Sequence, residues 1–173
     1  MPAALSDLPE EDPEEDPAEG PAGVVVAATV RPACLADALA LYGLELRCFP
    51  GDRMNLRQYR FHLRSPRARL LVAEAGGTPV GGATILLRSS SRRARLYSIM
   101  VDPSARGLGL GRLLLDRAEQ VAREAGAISL HLEVRQDNRP AIALYEHMGY
   151  RCIGHRPSYY HDGADAWRYR RDL

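Results

Sequence analysis

Apolar positions along this chain fall into short runs whose spacing changes from one run to the next. The stretch GVVVAATVRP, residues 23–32, is valine-rich and closed by Arg31-Pro32, which predicts a first strand. Residues 33–47 carry Leu35, Leu39, Ala40, Tyr42, Leu44 and Leu46 at helix-like spacing. CFPGDR, residues 48–53, is a turn punctuated by Pro50 and Gly51, and residues 54–64 make a short second helix. ARLLVAEAGGTPVGGATILLR, residues 68–88, reads as strand, tight Gly-Gly-Thr-Pro turn and strand, and ARLYSIMV, residues 94–101, as a further strand. Leu110, Leu113, Leu114, Ala118, Val121, Ala122 and Ala125 then recur at spacings of three and four, giving a helix with one apolar face that Gly126 ends. ISLHLEV, residues 128–134, alternates Ile128, Leu130, Leu132 and Val134 with more polar neighbours and predicts a strand. A short helix follows, with Asn138 as N-cap, Pro140 in its first turn and Gly149 as its stop. Residues 150–155 and 165–172 are closing strands around a polar loop. The predicted fold is α/β: a mixed, mostly antiparallel twisted sheet of about six to seven strands flanked by about four helices, with one strand–helix–strand unit in the middle.

Charge divides the chain. Residues 1–22 hold eight acids (Asp7, Glu10, Glu11, Asp12, Glu14, Glu15, Asp16, Glu19) and no base, with Pro and Ala between them and no apolar periodicity. That composition predicts a disordered acidic arm, either a shield for the rest of the chain or a solubilising tail, ahead of one domain over residues 23–173. The remainder carries 23 bases against 14 acids, a net +9, which favours anionic ligands. All the bases are arginine. Without lysine there is no Schiff-base amine and no P-loop Gly-Lys-Ser/Thr, so both chemistries are excluded. Cys34, Cys48 and Cys152 form neither a disulfide framework nor a metal pair, which points to a reducing compartment and the cytoplasm, and Cys152 is expected as a small core residue. No signal-peptide pattern or membrane-length apolar run occurs, and no metal is expected.

The candidate chemistry lies in DPSARGLGLGRLLL, residues 102–115. Gly107, Gly109 and Gly111 either make only a loop or clear space for a ligand at bare backbone. A helix start leaves amides unpaired and partly positive, so a phosphate can seat there, with Arg106 and Arg112 adding charge. Arg112 breaks the G-x-G-x-x-G pattern, which counts against a dinucleotide fold. In LEVRQDNRPAIALYEHMGY, Glu133 sits on a strand, and Asn138 and Tyr145, seven residues apart, share a helix face. A carboxylate and a phenol beside a phosphate cradle can serve as base and acid. Taken singly, Glu133 reads as a solvent-facing strand residue and Tyr145 as a core residue.

Together these residues resemble the GNAT superfamily of acyl-coenzyme A-dependent N-acetyltransferases. Arg106-Gly107-Leu108-Gly109-Leu110-Gly111 is similar to its R/Q-x-x-G-x-G/A signature, placed after SIMVDP, and Asn138 to Tyr150 is similar to its second motif. LEVRQDN, AIALYEHMGY and the late YYHDGADAWRYRRDL resemble the RimI branch, which acetylates the N-terminal α-amine of a ribosomal protein; the likeness covers residues 24–173 and leaves out the acidic arm. The resemblance implies that acetyl-CoA is the co-substrate. It implies that the backbone of Ile99, Met100 and Val101 binds the pantetheine arm like an added strand, with an oxyanion donor near Met100. It implies that Gly107 to Arg112 hold the pyrophosphate, that Asn138 contacts coenzyme A farther along, and that Glu133 is the general base and Tyr145 the general acid. Tyr159 and Tyr160 are candidates to wall the acceptor site, though such a pair is equally often packing. The acceptor implied is a protein or peptide amine, such as that of a ribosomal protein. A small amine, an antibiotic or a lysine side chain, and a non-catalytic coenzyme A- or nucleic-acid-binding module, are the alternatives. Aromatics are few and not interleaved with the arginines, so no nucleic-acid partner is expected.

Overall fold

The runs fold as β1 (Ala28–Pro32), α1 (Ala38–Cys48), α2 (Leu56–Arg64), β2 (Ala68–Ala75), β3 (Thr78–Leu87), β4 (Arg93–Val101), α3 (Leu110–Glu124), β5 (Ser129–Arg135), α4 (Arg139–His147), β6 (Arg151–Arg156) and β7 (Ala166–Asp172). Short 3-10 turns precede α1 and follow β4. This is a computed structural model, and it describes residues 28–88 and 90–173. The strands form one sheet in the order β1-β2-β3-β4-β5-β7-β6. All neighbours are antiparallel except β4 and β5. That parallel pair needs a crossover, which α3 supplies. The expected mixed sheet with four helices is the fold observed. The proposed arm and the start of the first predicted strand, residues 23–27, lie outside the described residues.

Helices cover the sheet unequally. On one face α3 and α4 pack over Leu71, Ala73, Ile85, Leu96, Leu130 and Leu132, with Leu114, Leu115, Tyr145 and Tyr169 in the same core. On the other, α1 and α2 pack over β2, β3 and β4, through Leu41, Leu44 and Tyr59 against Leu70, Val72 and Met100, with Leu41 also against Gly82. Strand β2 is therefore buried on both faces and reads as a continuous apolar run rather than an alternation.

Several expectations about which residues face inward are corrected. Leu39 is 67% exposed, and Leu35 and Leu46 also point outward; α1 buries Ala38, Leu41, Leu44 and Glu45 instead. Two leucine stripes compete on α1, and the stripe in register with the sheet wins. In α3, Leu113 is 39% exposed and Ala125 is also outside, while Leu115 and Glu119 turn in. Ile128 is exposed just before β5 begins. Cys152 is exposed rather than core, because β6 is the sheet's edge strand and bulges between Cys152 and Gly154.

Two irregularities of β4 shape what lies beside it. Thr84 pairs with Ser98 but Ile85 with Leu96, so Tyr97 is an extra residue, a β-bulge. The bulge shifts the alternation: Ala94 and Leu96 face α3 before it, and Ile99 and Val101 pack against the same core after it. Strands β4 and β5 are paired at only three positions, Arg93 with Ser129, Ala94 with Leu130 and Arg95 with His131, and then part.

Candidate active site

The gap opens where β4 and β5 part. The Asp102 amide donates to Val80 O on β3 at 2.8 Å, and antiparallel alternation then turns the Met100 backbone to Gly82 and the Ile99 and Val101 backbones into the gap. Of the three residues expected to line a ligand, two thus present backbone to it. Met100 contributes instead to the floor of the α1–α2 core, with its sulfur 3.9 Å from the Tyr59 hydroxyl.

At the C-terminal end of β4 the chain makes the 3-10 turn that Asp102 caps through the Ser104 amide, then enters the glycine segment. Gly107 and Gly109 have φ of +81° and +74°, a left-handed geometry that side chains disfavour, and a Cβ on either would meet nothing within 4 Å. The turn is therefore bare and open. Gly109 caps α3 without any side-chain hydrogen bond, and the first helical bond closes only at Leu113 N to Gly109 O. The amides of Leu110, Gly111 and Arg112 are left as donors at the positive end of the helix dipole. Arg106 and Arg112 are exposed beside them, Arg112 3.9 Å from Asp116, and Leu108 is 72% exposed. The Leu110 side chain is buried in the core. Gly111 has a separate reason to be glycine: a Cβ there would lie 3.2 Å from Leu144 Cδ2, so it lets α3 approach α4.

Glu133 and Tyr145 flank the gap from opposite sides of the sheet. Leu132 and Val134 are buried under α3 and α4, so alternation sends Glu133 to the other face. Its side chain is only 10% exposed, because two guanidinium groups close on it: Arg95 Nε donates to Oε2 at 2.9 Å, and Arg156 Nη2 lies 3.7 Å from Oε1. Tyr145, 5% exposed, stands in the α3–α4 core between the rings of Tyr150 and Tyr169, with centroids 5.7 and 6.4 Å away. Burial raises its pKa, and its hydroxyl makes no hydrogen bond among the described residues. Asn138 is exposed and caps α4, its Oδ1 accepting from the Ala141 amide at 3.2 Å.

The loop between β6 and β7 overhangs Glu133. Arg95 Nη2 donates to the Tyr159 hydroxyl at 2.6 Å, so one guanidinium ties Tyr159 to Glu133. Tyr160 packs edge-on against Tyr159, and burial, then Tyr159, pushes its pKa up to about 12 against the opposing charge of Arg135. The His161 amide donates to Asp52 at 3.1 Å, joining this loop to the α1–α2 loop. That second loop is held in turn by Glu45, whose buried carboxylate accepts from the Met54 amide at 2.9 Å and the Tyr59 hydroxyl at 2.6 Å. Arg95, Arg156 and Glu45 were not singled out from the sequence. Strand alternation alone could have put Arg95 on the face of Glu133, but nothing local pairs residues so far apart.

The arrangement can seat an extended, amide-bearing chain against β4 and an anion at α3, with a carboxylate and a buried phenol on either side of the junction. Residues 38–150 match the family model described as Acetyltransferase (GNAT) family. The chain is 38% identical over 148 residues to N-alpha-acetyltransferase RimI of Mycobacterium tuberculosis, covering 83% of this chain and 92% of that one. It is 33% identical over 151 residues to the catalytic subunit of the N-terminal acetyltransferase A complex of Arabidopsis thaliana, covering 83% of this chain and 77% of that one. Its fold superposes on the ribosomal-protein-S18-alanine N-acetyltransferase from Escherichia coli with a TM-score of 0.77 at 28% identity, over 85% of this chain and 94% of the other. A parted β4 and β5, a bare glycine turn at an uncapped helix and a family match across both agree: the chain belongs to the GNAT acetyltransferase family and is an N-acetyltransferase.

Proposed function

We propose that this protein transfers the acetyl group of acetyl-CoA to the N-terminal α-amine of a polypeptide, such as a ribosomal protein. The observation that carries the reading is the parting of β4 and β5 beside the uncapped start of α3, with Glu133 and Tyr145 on either side. The relatives named for α-amine and ribosomal-protein acetylation support the choice of acceptor.

The residues fit the co-substrate. The open Gly107 and Gly109 backbone, the amides of Leu110 to Arg112, and Arg106 and Arg112 would hold the pyrophosphate. Ile99 and Val101 would hydrogen-bond the pantetheine amides, and Asn138 would contact coenzyme A beyond them. When bound, acetyl-CoA supplies an activated acyl group as a thioester. Glu133 takes the proton of the acceptor ammonium; an α-amine titrates near 8, so this step is modest at neutral pH, whereas lysine at about 10.4 asks more. The amide of Ile99 or Val101 donates to the carbonyl oxygen as charge builds there. The freed amine attacks the thioester carbonyl; as the C–S bond breaks, Tyr145, kept protonated by burial, gives its proton to the departing sulfur and regains the second proton that the nitrogen sheds. Tyr159 and Tyr160 wall the acceptor.

Acetyl-CoA and N-terminal peptides, with coenzyme A release followed and the acetyl group located by mass spectrometry, test this. Acetyl on the α-amine is the expected result. Acetyl on a lysine side chain or only on small amines would overturn the acceptor, and no turnover with any amine would overturn the reaction.

A further inference from the structure

The face of β5, β7 and β6 opposite α3 and α4 has no helix packed over it among the described residues, since the α1–α2 core lies on β2, β3 and β4. The residues alternating with the core on that half are basic. His131 pairs with Arg170, Glu133 with Arg168, and β4 adds Arg93 and Arg95. Arg156 reaches Glu133 from β6. The acids on this face are Glu133 itself, held by Arg95, and Asp172, held by Arg170. In the loop above, Asp162 is bonded to Arg135 and Asp165 to His155. Arg93 and Arg168 form no ion pair among the described residues. The field is felt locally: burial and then Arg170, Arg93 and Arg168 lower the pKa of His131. An uncovered basic surface thus begins at the carboxylate proposed to take the acceptor's proton.

We propose that the acceptor is a polypeptide with acidic residues just after its reactive amine, and that Arg168, Arg156 and Arg170 read them. This rests on the α-amine reading above. In extended form, an acceptor whose amine meets Glu133 carries its third and fourth residues about 7–10 Å away, the distance of one to two same-face positions along a strand. Carboxylates there meet guanidinium groups that have few acids of their own. A basic acceptor would meet like charge at the point where it must dock. Nucleic acid fits less well, because the aromatic rings here already carry arginines: Arg95 over Tyr97 at 5.4 Å, Arg135 over Tyr160 at 5.0 Å and Arg156 over Tyr159 at 5.6 Å. Bases would find phosphate contacts without a bare stacking platform.

The test is a panel of N-terminally free peptides identical except for Asp/Glu, Ala or Lys at residues 2–4, read both as kcat/KM and as direct binding by fluorescence anisotropy. The expected result is a preference of about tenfold or more for the acidic peptide over the lysine peptide at low salt, shrinking in 0.5 M NaCl. In Arg168→Glu or Arg170→Glu the preference should reverse, with improved use of the lysine peptide and an unchanged KM for acetyl-CoA. A gain on the lysine peptide cannot come from misfolding. Transfer to all peptides alike, or a preference that the substitutions leave intact, overturns this proposal while leaving the α-amine reading standing. Tight acidic-peptide binding without transfer supports the surface and overturns that reading. A single-stranded RNA that binds the same face more tightly than the acidic peptide also overturns the proposal.

Discussion

Glu133 and Tyr145 stand on opposite sides of the sheet at the point where β4 and β5 part, the carboxylate under the β6–β7 loop and the phenol in the α3–α4 core. The proposed base and the proposed acid are thereby kept apart, one on each side of the gap. Separate substitutions should therefore have separable signatures.

Tyr145→Phe should lower kcat by about 10²-fold or more while leaving the KM for acetyl-CoA close to its original value. Because the hydroxyl has no hydrogen-bond partner among the described residues, Tm should move by no more than about 2 °C. Glu133→Gln should lower kcat by about 10²–10⁴-fold. Steady-state kinetics with thermal melts checks both. A Tyr145→Phe enzyme of undiminished kcat would remove the phenol from the mechanism.

Two glycines only two residues apart, Gly109 and Gly111, should answer differently to a side chain. Gly109→Val forces a β-branched residue to φ near +74° in the open turn and should raise the acetyl-CoA KM about tenfold, since the amides it carries move. Gly111→Ala meets Leu144 Cδ2 at 3.2 Å and should act chiefly on stability through the α3–α4 contact. Isothermal titration with coenzyme A, beside urea unfolding, distinguishes the two.

The glycine turn and the spacing of Asn138 and Tyr145 were legible because they are local: a helix start, a cap and a seven-residue interval lie within one stretch of chain. The environment of Glu133 was not. Arg95 and Arg156 come from other strands, and their approach depends on a strand order that no short pattern encodes. The buried side of α1 was also misread, because Leu35, Leu39 and Leu46 make as good an apolar stripe as Ala38, Leu41 and Leu44 until the sheet beneath selects one. Glu119 and Glu45 escaped notice for a related reason, being acids that fold inward only because partners await them.

Glu119 in α3 accepts from the Tyr150 hydroxyl at 3.1 Å and from Arg171 of β7 at 2.8 Å. It ties the crossover helix to a strand well past it in sequence. Glu119→Ala should cost about 1–3 kcal/mol, less than the ~3–5 kcal/mol of a fully buried pair because Arg171 keeps some access to water. Chemical denaturation measures it, and kcat at a permissive temperature should change little.

At the start of α1, Arg31 hydrogen-bonds Asp37 and lowers its pKa from the usual 3.8 to about 2. A carboxylate with a depressed folded pKa contributes stability that is present above the unfolded value and is lost as pH falls through the folded one. The loss should therefore fall between about pH 4 and pH 2. Asp37→Asn should be less stable at neutral pH and show a flatter decline over that window in pH-dependent unfolding.

Strand β4 is an interior strand for its first three residues and an edge from Leu96 onward. An exposed sheet edge is ordinarily an invitation to any neighbouring strand, and proteins blunt theirs with charge, proline or a covering element. Here β4 and β5 stay paired at Arg93 to Arg95 and part only beyond, so the freed edge is the wall of an opening inside the sheet and not its outer margin. A sheet grows at its margins, which here are β1 and β6, and an edge enclosed between two strands of one sheet is no margin that a neighbouring chain can extend.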